Sequence, residues 1–233
     1  MTEFLEPGFW MGLLQIIMID LVLSGDNAVV IALACRRLQP EQRRYGVMFG
    51  VAGAVGLRVV LTLFAATLLG LSYVKLVGGL LLLWIGVKLL LPEDEDGHEI
   101  DAATSVSGAI KTIIVADFVM SLDNVIGVAG AAGDSLVLLG LGLAISIPVI
   151  VWSSQLIMQA MERFPVIVKL GAALLGWVAG GMLISDPAVQ TYLPSDGPVW
   201  FRPLAGFLGA ALVLGLAGLL GRDTTDAGGA AKG

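Results

Sequence analysis

The sequence has little cysteine, histidine or charge: one cysteine, Cys35, and one histidine, His98, occur in 233 residues. A single cysteine excludes a disulfide framework and a thiolate metal cluster, and we expect Cys35 to be a small buried apolar residue. Charged residues make up 14% of the chain, against about a quarter in soluble domains. No basic patch accompanies the net charge of −6, so nucleic acid is not an expected partner. The first seven residues contain no positive charge, and we expect the start of the mature protein rather than a cleaved signal peptide.

Apolar residues are abundant and occur in long blocks. They make up 57% of the chain, and the mean hydropathy is +0.92. A membrane-spanning helix needs about 20 mostly apolar residues, and the blocks therefore predict an all-α, polytopic membrane protein. We predict seven transmembrane helices, over residues 9–34, 45–69, 76–91, 109–132, 136–158, 166–184 and 203–220.

The loop between the first two predicted spans contains four arginines, Arg36, Arg37, Arg43 and Arg44. Cytoplasmic loops carry an excess of Lys and Arg, so this loop is predicted to be cytoplasmic. Seven spans then place the N-terminus outside and the C-terminus in the cytoplasm. The expected location is the cell (inner or plasma) membrane, with several passes.

An eight-residue pattern, D-x-x-x-S-x-D-N, occurs twice within the apolar blocks, as DLVLSGDN over residues 20–27 and as DFVMSLDN over residues 117–124. Ionisable side chains are costly inside a bilayer and indicate a functional site. The candidate metal ligands are Asp20, Asp26, Asn27, Asp117, Asp123 and Asn124, with Ser24, Ser121 and Arg58 as accessory candidates. The serines could instead form hydrogen bonds between helices, the asparagines could orient an Asp, and Arg58 could be a counter-ion to one.

A second similarity, between the segments around Trp84 and Trp177, suggests that spans one to three repeat as spans four to six. Because each repeat has an odd number of spans, the two halves would be inverted, as in many secondary transporters. We predict a first repeat over residues 1–91, an acidic cytoplasmic loop over 92–108 and a second repeat over 109–186. An external loop with the seventh helix follows over 187–221, and a disordered tail over 222–233.

The motif offers only oxygen ligands, which suit hard ions such as Mg²⁺, Ca²⁺ and Mn²⁺. On an ideal helix Asp20, Ser24 and Asn27 share one face, and Asp26 points away by about a third of a turn. Either Asp26 and Asp123 face other neighbours, or the helices break at the motif. Gly25 would help such a break, whereas Leu122 stands at the equivalent place in the second copy.

The loop over residues 92–108 carries six acidic residues beside His98. It is interpreted as a solvated linker between the two repeats. The alternative is that it attracts cations, although its spacing is not that of an EF-hand.

The two motif copies, together with AVVIALACRRL after the first and NVIGVAGAA at the end of the second, resemble the TerC family of integral membrane proteins, closest to its YjbE-like branch. The resemblance covers the chain up to about Gly221 and extends in architecture to the LysE-type transporter superfamily. It implies export of manganese from the cytoplasm, with metal bound by the six Asp and Asn positions of the two motifs.

Other functions remain as alternatives. A non-transporting membrane factor for metal binding or tellurite resistance is one. An intramembrane aspartyl protease is another, but such enzymes use GxGD, and only the Gly25-Asp26 part of that motif is present here. We therefore expect no enzymatic activity and no tightly bound cofactor, with Mn²⁺ as the substrate and Mg²⁺ or Ca²⁺ as alternatives. The expected partners are the divalent ion and the lipid bilayer, and a homo-oligomer is left open.

Overall fold

The chain folds as a bundle of α-helices. The computed structural model describes residues 7–23, 25–64, 71–91, 105–132, 136–192 and 200–230, without the side chains of residues 7, 22, 23, 123–132, 136 and 222–230. The helices in these ranges are α1 (Pro7–Leu23), α2 (Gly25–Cys35), α3 (Pro40–Leu63), α4 (Val74–Leu90), α5 (Val106–Ala132), α6 (Leu136–Arg163), α7 (Val166–Ser185), α8 (Pro187–Gln190) and α9 (Phe201–Ala230).

Several helices are suited to cross a membrane. Helix α3, most of α6, α7 and the first part of α9 are long and apolar enough, and α1 with α2 qualifies as a fifth span if the bent pair is counted as one. Helix α4, with 17 residues, is about 25 Å long, short of the roughly 30 Å of a hydrocarbon core. Large apolar side chains face outward, among them Trp152 at 63% exposure and Phe207 at 64%, as expected for contact with lipid. The structure thus supports a polytopic membrane protein, and the number seven stays a prediction.

The arginines between α2 and α3 hold one end of the bundle together. The Arg36 guanidinium donates a 2.9 Å hydrogen bond to the carbonyl of Leu89, and Arg37 donates to the carbonyls of Leu89 and Leu91. Carbonyls at a helix C-terminus lack intrahelical partners and carry partial negative charge, so arginine caps them well. The C-terminal ends of α2 and α4 therefore lie side by side.

The same end, called the arginine end below, also includes α3 and α6. Arg43 forms an ion pair with Glu162, which joins the start of α3 to the last turn of α6. Cys35 is fully buried nearby, as predicted.

Asp186 joins helices at the opposite end. Its side chain is buried and accepts hydrogen bonds from the backbone N–H groups of Tyr73 (3.0 Å), Leu76 (3.0 Å) and Ala188 (2.8 Å). It thereby satisfies backbone donors at the start of α4 and of α8, and Pro187 follows it at the first helical position. Burial by itself would raise the pKa of this carboxyl, but the backbone donors outweigh it and hold the pKa below its usual value.

The Asp186→Asn protein is expected to unfold more easily by about 1 kcal/mol, because the amide group cannot accept all of these hydrogen bonds. Since folding lowers the pKa of Asp186, its contribution to stability is full above the unfolded pKa of about 3.9 and is lost as pH falls through the folded pKa. Thermal unfolding in detergent at pH 7 and at acidic pH checks this. A difference between wild type and variant that stays constant below pH 4 would contradict the assignment.

Four contacts at glycines, three of them close, join the two halves of the chain. A Cβ on Gly50 of α3 would lie 2.5 Å from Cδ1 of Ile113 of α5, and one on Gly142 of α6 would overlap Ile16 of α1. Helices α4 and α7 also approach closely. A Cβ on Gly79 would lie 3.0 Å from the carbonyl oxygen of Ala179, and one on Gly86 would lie 3.5 Å from that of Ala172. Glycine at these positions permits close helix packing inside the bundle.

Helix α9 packs on α7 through small residues spaced four apart. A Cβ on Gly176 would lie 2.5 Å from the carbonyl oxygen of Gly209, and one on Gly180 would overlap the carbonyl oxygen of Ala205. This is the small-xxx-small contact that lets membrane helices approach backbone to backbone. Helix α9 continues past Gly221 to Ala230, where the sequence predicts a disordered tail. No proline interrupts the helical hydrogen bonding in that stretch.

The Gly180→Val protein is expected to lose about 1–3 kcal/mol of unfolding free energy, because its side chain would separate α7 from α9. Gly181→Val is the matched control, since no atom lies within 4 Å of a Cβ built there. Both variants carry the same helix-propensity cost, so the difference between their unfolding midpoints in detergent isolates the contact. Equal midpoints would show that α9 does not depend on it.

Candidate functional site

The first motif copy lies where the helical path bends. Helix α1 ends at Leu23 and α2 begins at Gly25, and the axes of Gly8–Leu21 and Gly25–Cys35 differ by 48°. Asp20 is on the last turn of α1 and is 1% exposed, and Asn27 is on the first turn of α2 and is 4% exposed. The chain therefore changes direction between these two buried polar side chains.

The second copy lies on a helix that continues through the motif. Helix α5 is unbroken from Val106 to Ala132, and Asp117 and Ser121 face its buried side. Their spacing of four residues puts them on one face, and the Ser121 hydroxyl donates to Oδ2 of Asp117 at 3.2 Å. The bend at Gly25 thus has no counterpart at Leu122, in agreement with the difference between the two residues.

Arg58 connects the two motif copies. Its guanidinium, on α3, forms an ion pair with Asp20 through Nη1 and another with Asp117 through Nη2, the latter at 2.6 Å. Its Nε donates to the Ser121 hydroxyl at 3.2 Å. A counter-ion role was one of the two predicted for Arg58, and here the residue contacts a carboxylate from each half.

The cluster of Asp20, Arg58, Asp117 and Ser121 is closed to solvent, because Arg58 is 3% exposed and Asp117 is 6% exposed. Burying ions is costly, and the cost is met only where partners and hydrogen bonds are well placed. When all three ionisable groups are charged, the two carboxylates exceed the guanidinium by one negative charge. The cluster is therefore suited to attract a further cation.

Asn27 is a buried polar residue with unused hydrogen-bonding capacity. Among the described residues, neither its Oδ1 nor its Nδ2 has a hydrogen-bond partner. The residue lines a cavity of about 10 Å³ together with Asp117 and four apolar side chains from α2, α3 and α5. Such a space is at the lower limit for one water molecule. An unpaired buried amide costs about 1–3 kcal/mol, so within the described part of the chain the Asn27 amide adds no stability through hydrogen bonds.

The remaining predicted ligands are less well placed or lie outside the described residues. Asp26 is half-buried, and its Oδ1 accepts from the backbone N–H of Asn27 at 2.9 Å. Ser24 and the side chains of Asp123 and Asn124 are outside the described part of the chain. Within that part, no three His, Cys, Asp or Glu side chains converge as metal ligands. The geometry thus unites Asp20, Asp117, Ser121 and Arg58, with Asn27 across a small cavity.

Comparison with known proteins identifies the family. The model of the integral membrane protein TerC family matches residues 5–224. The chain belongs to the TerC family. The membrane protein YjbE of Bacillus subtilis is 42% identical over 195 residues, which cover 84% of this chain and 89% of YjbE. The inner membrane protein YgdQ of Escherichia coli is 28% identical over 188 residues, covering 73% of this chain and 78% of YgdQ. No solved structure matches.

In this TerC-family chain, two features of the candidate site are not predicted from the sequence. The cavity beside Asn27 depends on Val30, Ala54 and Ile113, which are ordinary apolar residues in the sequence. No local signal could have identified them, because they meet only when α2, α3 and α5 pack. The pairing of Arg58 with both carboxylates was also not predicted, although an arginine in the middle of an apolar block was a readable signal.

Proposed function

We propose that this TerC-family protein is a secondary transporter that exports a divalent cation, Mn²⁺, from the cytoplasm. The observation that carries the proposal is the pairing of Asp20 and Asp117, one from each motif copy, through a single buried guanidinium. Structural hydrogen bonding does not require ionisable groups, and buried carboxylates in membrane helices mark ion pathways. Oxygen ligands suit Mn²⁺, Mg²⁺ and Ca²⁺ alike, and the choice of Mn²⁺ follows the family resemblance.

The proposal includes seven spans in two inverted repeats, and reciprocal contacts support it. Ile16 lies four residues before the first Asp of one motif copy, and Ile113 lies four residues before the first Asp of the other. Each packs against a glycine of the other half, Ile16 against Gly142 and Ile113 against Gly50. Such pairs are expected when two similar halves are related by a pseudo-twofold axis.

Helices α4 and α7 provide a second reciprocal pair. Gly79 lies five residues before Trp84, as Ala172 lies five residues before the aligned Trp177. Gly86 lies two residues after Trp84, as Ala179 lies two residues after Trp177. Gly79 packs on Ala179 and Gly86 packs on Ala172, so the same two positions meet in both directions. This reciprocity supports an axis that passes between α4 and α7.

In the proposed mechanism Arg58 and the metal ion alternate as partners of the carboxylates. A divalent cation that binds Asp20 and Asp117 displaces the guanidinium, and like charge then keeps Arg58 and the metal apart. When the cation leaves on the other side, Arg58 pairs again. The carboxylates are thus compensated at each stage, which lowers the cost of a buried charge during the cycle. The Asn27 carboxamide is the proposed additional oxygen ligand.

In the proposed orientation the arginine end is cytoplasmic, as the excess of arginine predicts. Exchange of the two repeats between inward-facing and outward-facing arrangements would expose the site to each side in turn. The N-terminus is then outside and the C-terminus inside.

The test is metal-ion efflux from proteoliposomes loaded with Mn²⁺, Mg²⁺ or Ca²⁺, with protein-free liposomes as the control. We expect efflux of Mn²⁺ that depends on the protein and exceeds that of the other two ions. Binding of Mn²⁺ without efflux would favour the non-transporting metal-binding factor. Faster efflux of Mg²⁺ or Ca²⁺ would keep the transporter and change its substrate.

An aspartyl protease is disfavoured by the same pairing. Proteolytic aspartates share a proton at short distance, whereas Asp20 and Asp117 are bridged by a guanidinium. We therefore propose a transport protein without enzymatic activity.

A further inference from the structure

A groove at the arginine end lies apart from the carboxylate cluster. It has a volume of about 370 Å³ and lies between the end of α4, the start of α5 and the end of α2. Its lining is apolar except for Lys88, Lys111 and Thr112. The Thr112 hydroxyl donates to the carbonyl of Gly108 at 2.9 Å, so the two lysines are the other polar side chains that line the groove.

The two lysines lie on different helices, Lys88 on α4 and Lys111 on α5. Among the described residues, neither ammonium forms an ion pair with a carboxylate. The ammonium of Lys88 lies 5.2 Å from the centroid of the Trp84 ring. Trp84 is one helical turn before Lys88 on α4. This contact keeps Lys88 beside an aromatic ring, the arrangement typical of the membrane interface. Lys111, on α5, is exposed on the other side.

We propose that this groove binds one anionic phospholipid. The phosphate would lie between Lys88 and Lys111, and the acyl chains would extend along Leu81 and Val115 toward the membrane centre. The occupant is a lipid because both lysines lie toward the arginine end, in the last turn of α4 and the second turn of α5, while the rest of the lining matches hydrocarbon. Basic pockets between membrane helices on the cytoplasmic side are known to take acidic headgroups. This inference is independent of the proposed transport activity.

The experiment is native mass spectrometry of the full-length protein in detergent, titrated with phosphatidylglycerol or phosphatidylcholine of the same acyl chains. We expect one phosphatidylglycerol to be retained. In the Lys88→Gln/Lys111→Gln protein we expect its affinity to fall by about thirtyfold, since each lysine near an acidic lipid contributes about a fivefold effect. The wild type should prefer phosphatidylglycerol over phosphatidylcholine by a similar factor.

A matched control removes two positive charges from the same end outside the groove. Arg163 and Lys169 are exposed at the junction of α6 and α7, and Arg163→Gln/Lys169→Gln should leave the affinity unchanged within about twofold. The Lys88→Arg/Lys111→Arg protein keeps the charge and should retain the lipid. Its lipid binding shows whether the loss in the glutamine variant comes from the missing charge rather than from substitution at these two positions.

Three results would overturn the proposal. One is equal affinity for the two lipids. Another is an equal loss of affinity in the glutamine variant of the groove and in its control. The third is that lipid-free protein retains inorganic phosphate as tightly as phosphatidylglycerol, which would make the groove an anion site rather than a lipid site.

Discussion

The Arg58→Met protein is expected to be less stable than wild type by about 3–5 kcal/mol, the usual cost of leaving one partner of a buried ion pair without the other. Here the loss concerns two carboxylates, Asp20 and Asp117, each almost fully buried. The Ser121 hydroxyl would remain as a partner of Asp117 and is too weak to replace a guanidinium. The measurement is the unfolding free energy in mixed detergent micelles.

A neutral triple variant, Asp20→Asn/Asp117→Asn/Arg58→Met, separates the charge effect from a packing effect. It buries no ion of the cluster, so most of the lost stability should return. Arg44→Met is the matched control, because Arg44 is an exposed arginine on the same helix and should change stability by less than about 0.5 kcal/mol. A triple variant as unstable as the single one would show that Arg58 stabilises the fold through packing alone. In either case the triple variant should not export Mn²⁺, because the paired carboxylates are gone.

Helix positions were predictable where composition alone determines them. The predicted span over 166–184 and the observed helix Val166–Ser185 agree nearly residue for residue, because Pro165 and the Asp186–Pro187 step bound an apolar run in which Lys169 is the one charged residue. The short helix Pro187–Gln190 was missed, although Asp before Pro is a readable helix start. The contacts of Asp186 with the start of α4 were not predictable, since they join positions more than a hundred residues apart.

The residue types of the candidate site are predicted from the sequence, and the pairing of their side chains is not. The repeat identified Asp20 and Asp117, because charge in an apolar block is visible without a structure. If the two halves are aligned so that Gly50 matches Gly142, the residue of the second half that corresponds to Arg58 is Ile150. Ile150 is apolar and 6% exposed. One arginine therefore serves both halves, and a symmetric duplication of the motif does not indicate this. Only the packing of α5 against both α3 and α1 determines it.

Substitution of Asn27 is expected to affect stability in the opposite way from substitution of Arg58, because the Asn27 amide forms no hydrogen bond within the described residues. Asn27→Leu replaces an unsatisfied buried group by an apolar one of similar size. We expect the unfolding free energy to stay the same or to rise by about 1–3 kcal/mol, the penalty that the amide now carries. Efflux of Mn²⁺ from proteoliposomes should fall to the level of protein-free liposomes, because the amide oxygen beside Asp117 is a proposed ligand.

A buried hydroxyl with a structural partner provides the control. Ser146 is fully buried on α6 and donates to the carbonyl of Gly142 at 3.1 Å. Ser146→Ala should cost up to about 1 kcal/mol and leave efflux unchanged. A destabilised Asn27→Leu protein with normal efflux would reverse the interpretation and make Asn27 structural. Stability retained with transport lost is instead the pattern of a residue kept for function, because proteins commonly sacrifice some stability at their functional sites.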